Sequence, residues 1–100
     1  MKTVDRTEYP LLITINGRAL SRVLIDQHYK AKHPEVTDAI ILELVKQLDG
    51  GNYAIENEQE DFEYFRVEPV FHNNDPYRIV LVLCITEDYL GVVNAFRVRR

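Results

Sequence analysis

The stretch YRIVLVLCIT, residues 77–86, restricts the fold of this chain more than any other. Its apolar side chains occupy consecutive positions, so an extended backbone places them on both faces. Such a strand belongs in the middle of a sheet, covered at least in part on both sides. The run is far shorter than the ~20 residues of a membrane-spanning helix.

The segments around it also read as sheet. FEYFRVEPVFH, residues 62–72, predicts a strand in which Pro69 marks an edge position or a bulge. NNDP at 73–76 and EDYLG at 87–91 predict turns, and VVNAFRV at 92–98 the last strand. NYAIE at 52–56 predicts a short strand, and the acidic NEQED at 57–61 a solvated loop. Short turns between successive strands make an antiparallel meander.

The first half reads differently. LLITI at 11–15 is a short β-rich run that stops at Asn16-Gly17, a turn signal. Leu20, Val23, Leu24 and Ala31 then share one stripe of a helical wheel, with Arg22, Asp26, Tyr29 and His33 opposite. Pro34 disfavours helix at His33 and ends that pattern. Thr37 offers an N-cap, and Ile40, Ile41, Leu44, Val45 and Leu48 form the strongest helical period in the chain. Gly50-Gly51 ends it. The expected fold is therefore α+β, with an N-terminal helical hairpin on one face of a curved antiparallel four- to five-stranded sheet, in the order ααββββ. A single domain over 1–100 would comprise an N-terminal strand or arm (1–17), a helical pair (18–50) and the meander (51–100). The helices can cover only one face, so the other is left open.

Composition narrows the functional classes. The apolar fraction of 46% suits a globular chain. Its N-terminus, MKTVDRTEYP, has no apolar core of a secretory signal. With a single cysteine, Cys84, inside an apolar run, this predicts a reducing, cytoplasmic setting; export by a non-classical route leaves the same sequence. The net charge of −4 counts against broad nucleic-acid binding. Five of the acids fall within ENEQEDFE, residues 56–63.

Three histidines and three strand arginines are the residues with chemistry to offer. His28 and His33 are five apart, so a regular helix turns them ~140° from one another, too far to share a metal. No metal and no cofactor is expected. His28 flanks the buried stripe, and His33 at the helix end complements the dipole or exchanges a proton. His72 ends a strand beside a turn. Arg66, Arg78 and Arg97 lie on strands that are otherwise apolar. They either converge on the open sheet face as a phosphate or carboxylate site, or pair with Glu63, Glu68, Glu87 or the 56–61 loop. Alternation puts Asn94 on the face opposite Arg97. Tyr64, Tyr77 and Tyr89 are packing residues that, beside arginines, can also stack on a base or donate a proton.

The order helix, helix and four strands, with YFRVEPVF, DPYRIVLVL and GVVNAFRV, resembles the barnase/EndoU/colicin/RelE-like superfamily of small nucleases over most of residues 18–98. The resemblance implies metal-independent RNA cleavage, with the ribose 2′-OH attacking the adjacent phosphate. Tyr77-Arg78 would match the family's paired residues at the start of a central strand, and Arg97 its terminal arginine. His33 or His28 would be the helix-borne histidine, and Lys30 and Lys32 would hold the RNA backbone; Arg66, Tyr64 and Asn94 are, from their strand positions, further candidates for binding RNA or phosphate. Toxins of this group are commonly basic, whereas this chain is acidic. That departure supports a second expectation: a non-catalytic interaction module, immunity- or antitoxin-like, that meets a basic protein partner through the open face and acidic loop. Either way the partner is RNA or a protein, with no membrane involved.

Overall fold

The computed structural model describes residues 6–27 and 33–98. Six strands and one helix follow in the order β1 (Arg6–Ile15), β2 (Arg18–Asp26), α1 (Asp38–Lys46), β3 (Asn57–Gln59), β4 (Phe62–His72), β5 (Asp75–Cys84) and β6 (Tyr89–Arg97). All six strands form one sheet in the spatial order β1-β2-β6-β5-β4-β3. Neighbours are antiparallel except β2 and β6, which run parallel from Arg22↔Tyr89 to Ile25↔Val92.

The expected N-terminal helical hairpin is not present. Residues 18–26 form a strand, and the class is a six-stranded mixed sheet with one short helix. Two causes act together. Asn16 and Gly17 both take positive φ, 52° and 75°, the geometry of a two-residue hairpin turn whose twist matches the strands it joins. Opposite a register shift between Pro10 and Ile13, the burial of β2 changes phase, so that Leu20, Val23 and Ile25 are buried. A strand that changes phase buries residues three apart, and that spacing imitates a helix. The end of the expected first helix, residues 28–32, lies outside the described residues.

The second helix forms where its period places it. Thr37 caps it, its side chain accepting a hydrogen bond from the Ile40 amide at 3.3 Å. Ile41, Leu44, Val45 and Leu48 share one buried cluster with Phe65, Ile79, Leu81 and Leu83 of the sheet. Side chains fasten α1 at both ends. The Tyr9 hydroxyl donates to Asp38 at 2.6 Å, and Gln47 Nε2 donates to the Phe71 carbonyl at 2.7 Å.

The central strand is β5, flanked by β4 and β6. Ile79, Leu81 and Leu83 face α1, while Val82 and Cys84 are buried on the opposite face among neighbouring side chains of the sheet. Pro69 sits at the register shift between Val67 and Val70. It lies beyond the reach of the three-residue β3, so no β3 residue needs the N–H that it lacks. Asn73 and Asn74, with φ of 51° and 68°, turn β4 into β5 as Asn16-Gly17 turns β1 into β2. The expected strand at 52–56 and loop at 57–61 exchange roles. Asn57–Gln59 pairs with Phe62–Tyr64, Glu60-Asp61 make the turn, and 52–56 connects. Tyr89, expected in a turn, opens β6.

Asn16 does more than turn the chain. Its Nδ2 donates to the Tyr53 carbonyl at 3.0 Å, and its Oδ1 accepts from the Tyr53 amide. Replacing it by alanine removes both bonds and a residue tolerant of positive φ. Asn16→Ala is expected to cost about 1–3 kcal/mol in urea unfolding, with an unchanged slope against denaturant.

Candidate functional site

Helix α1 covers one face of the sheet, and the opposite face carries the side chains with chemistry. Strand register assigns them. Arg66 is opposite Val80, Tyr64 opposite Val82, Arg78 opposite Phe96, and Asn94 opposite Val80, so all share the face away from α1. Arg97 is opposite Tyr77, whose ring is 6% exposed in the α1-side core. Two of the three arginines thus meet on the open face, and Arg97 stands at the rim of the other. The Tyr77-Arg78 pair splits across the sheet, which leaves Tyr77 a core residue. Asn94 does lie opposite in sense to Arg97, and its Oδ1 accepts from the Ala95 amide at 2.9 Å.

Each of these arginines already holds a carboxylate. Arg66 Nε donates to Glu56 at 3.1 Å, Arg78 Nε donates to Glu68, and Arg97 Nη1 reaches Asp75 at 3.4 Å. The hydrogen bond to Glu68 also raises the pKa of Arg78 further above its ordinary value. A guanidinium so engaged offers a phosphate little uncompensated charge.

The histidines separate. His33 stacks on Phe96, ring centres 5.3 Å apart, and its Nδ1 lies 4.0 Å from Glu35. The guanidinium carbon of Arg78 lies 5.4 Å from the centre of the same Phe96 ring, so His33 and Arg78 both lie against that ring. His72 packs edge-on against Tyr77 at the far end of β4. His28, Lys30 and Lys32 lie outside the described residues. Among the described residues, no group of three or more His, Cys, Asp or Glu side chains is placed to hold a metal ion.

Three features of this side of the molecule were not expected from the sequence. Arg22 gathers three carboxylates, Glu87 at 2.8 Å with Glu8 and Asp88 at 3.4 Å, and lies over the Tyr89 ring. It joins β1 to the β5–β6 turn. Arg18 Nη2 donates to the carbonyls of Cys84, at 2.8 Å, and Glu87, at 3.3 Å, holding the same turn from the other side. Finally, a hollow of about 230 Å³ opens over Gly91, where β2 and β6 run side by side. Gly91, expected in a turn, lies inside β6, where a strand glycine marks close approach of neighbouring groups.

The acids of ENEQEDFE stand on the β3–β4 hairpin. Glu56 is paired with Arg66, whereas Glu58, Glu60, Asp61 and Glu63 have no ion pair among the described residues. Glu58 and Glu63 are directly opposite each other across the strand pair, an arrangement that like charges disfavour. The thiol of Cys84 is buried, which alone would raise its pKa. Hydrogen bonds with the Thr86 hydroxyl and amide, the Tyr89 hydroxyl and the Glu87 amide outweigh burial and hold it below the ordinary thiol value.

Comparison with protein-family models, with curated proteins and with solved structures finds no match for this chain.

The β5–β6 turn supplies a pH test. The Ser21 hydroxyl, above all, and then the Asp88 amide and Arg22 hold the Asp88 carboxyl below its usual value, against the opposing effect of burial. A carboxylate depressed by folding stabilises the protein above its unfolded pKa, about 3.9, and that stability is lost as pH falls through the folded value. The thermal stability of the parent chain is therefore expected to fall from about pH 4 downward more steeply than that of Asp88→Asn.

Proposed function

We propose that this chain is a non-catalytic protein-binding module that meets a basic partner surface at its acidic hairpin and the adjoining open sheet face. One observation carries this reading: the arginines expected to hold RNA phosphates are each already paired with a carboxylate of this chain, while four carboxylates of the neighbouring hairpin have no ion pair among the described residues.

The physical argument is one of complementarity. Exposed ion pairs contribute little to stability, ~0–1 kcal/mol each, so their main effect here is to cancel positive charge on the open face. What remains is negative potential at the β3–β4 hairpin beside a sheet face bearing Phe62, Tyr64, Val80 and Phe96, all partly accessible. Such a surface steers a lysine- or arginine-rich protein and repels a polyanion. Aromatic and aliphatic side chains inside a polar border are also the usual composition of a protein interface.

The approach of both His33 and Arg78 to the Phe96 ring is what favours the alternative, metal-independent RNA cleavage. Both readings meet in one experiment. The chain is incubated with mixed RNA in chelator, and separately titrated with a folded basic protein domain at several salt concentrations. No cleavage is expected, together with binding to the basic domain that weakens as salt rises. A chain carrying Glu58→Lys, Glu60→Lys, Asp61→Lys and Glu63→Lys should lose that binding at least tenfold. RNA cleavage that disappears in Arg78→Ala or His33→Ala would overturn the proposal, as would binding unchanged by the four reversals.

A further inference from the structure

The hollow over Gly91 has a floor, a wall and a charged rim. Leu24 and Val82 flank Gly91 from β2 and β5, and Val93, at 37% exposed, stands beside it. A Cβ built at residue 91 would come within 2.6 Å of Val82 Cγ1 and 3.7 Å of the Tyr89 ring. Gly91 is not among the glycines with positive φ, so its backbone does not require glycine. Within a strand, glycine weakens the sheet relative to other residues. What it provides here is room: Val82 leans across it, and an apolar floor runs from β5 to β2 without a side chain standing up from its centre.

The rim is not neutral. Arg6 borders the hollow, and among the described residues no carboxylate lies within ion-pair range of it. This separates it from Arg22, Arg66, Arg78 and Arg97, each of which is paired. Asp26, opposite Arg6 in the strand register, also borders the hollow and has interactions of its own. A ligand with an anionic head is therefore drawn to the Arg6 side and away from Asp26.

We infer that the hollow over Gly91 binds a small amphipathic monocarboxylate, with its hydrocarbon chain on Leu24, Val82 and Val93 and its carboxylate on Arg6. The volume, about 230 Å³, is below the ~300–1,000 Å³ of sites for drug-sized ligands, so the occupant is a short chain and not a long-chain lipid. The planar guanidinium matches a carboxylate in two parallel hydrogen bonds, and a hydroxyl cannot reproduce them. The hollow shares the open sheet face with the proposed partner surface, Val82 lying opposite Tyr64, but its test uses no partner protein, so the two proposals can fail separately.

The test is titration of the full chain with octanoate, followed through its backbone amide resonances, with octan-1-ol and octylamine as neutral and cationic probes. Octanoate is expected to shift Leu24, Val82, Gly91 and Val93, and to bind at least tenfold more tightly than either control. Hexanoate, two methylenes shorter, should bind about tenfold more weakly than octanoate. Arg6→Gln, an exposed change, should bring octanoate down to the affinity of octanol and leave octanol unaffected. Gly91→Ala should abolish binding of both, and its thermal unfolding is measured alongside. Because Arg6 is exposed and its side-chain bond is to the Tyr89 hydroxyl at the rim, the inference remains testable through Arg6→Gln even if Gly91→Ala does not fold. Equal affinity for the three probes, tighter binding of octylamine, shifts confined to other strands, full octanoate affinity in Arg6→Gln, or no shift up to the micellar limit would each overturn it.

Discussion

The parallel contact between β2 and β6 is the join on which the rest of the molecule depends. It is only four residue pairs long, Arg22–Ile25 against Tyr89–Val92. Without it the chain is an N-terminal hairpin and a separate meander, each with an unpaired edge and half a core. With it, Val23 and Ile25 reach the same buried cluster as Leu90, Val92 and α1. Parallel pairs are slightly weaker per residue than antiparallel ones, and this one is reinforced from both sides. The Ser21 amide donates to the Asp88 carbonyl at 2.9 Å, the Ser21 hydroxyl donates to the Asp88 carboxylate, and Arg18 and Arg22 bind the turn that precedes β6. Much of the polar chemistry on this side of the molecule therefore holds the join together.

That allocation bears on function. Arginines on strands suggest anion binding when read singly. In the folded chain, Arg22 is spent on three carboxylates, and Arg66, Arg78 and Arg97 on one each. The negative charge left over collects on one hairpin, where Glu58 faces Glu63. A surface with internally cancelled positive charge and a concentrated negative border suits a basic protein better than a phosphate backbone.

Signals confined to a few neighbouring residues were legible in the sequence. Strand β4 spans Phe62–His72 as its composition predicts, with Pro69 at a register shift. The period of Ile40 to Leu48 and the cap at Thr37 place α1, and β5 lies between two neighbours as its apolar run requires. Signals that depend on distant pairing were not legible. The helical look of Leu20 and Val23 comes from a phase change that only the pairing with β1 explains. Asn57–Gln59 is wholly exposed and carries no hydrophobic alternation; it is a strand because β4 lies beside it. At the site, the pairing of Arg66 with the 56–61 segment and of Arg78 with Glu68 was foreseeable, because those carboxylates are only ten residues away and a hairpin brings each beside its arginine. The hollow over Gly91 was not, since its walls come from strands that meet only through the β2–β6 contact.

The two borders of the sheet differ in a way that bears on how the protein behaves in a crowded solution. At β1, the Thr14 amide donates to Asp49 and the Gly50 amide donates to the Thr14 carbonyl, so the turn after α1 occupies one end of that margin, and Pro10 withholds a donor further along. On the other border β3 covers only the start of β4 and is flanked by acids that have no ion pair among the described residues; beyond it the edge of β4 is broken by Pro69 at its register shift, and Gln47 occupies the Phe71 carbonyl. Among the described residues, charge, proline or a side-chain bond interrupts the row of amides on each flank. The sheet thus resists growing into a fibre by templated addition, even though its interior strands are among the most aggregation-prone compositions a chain can carry.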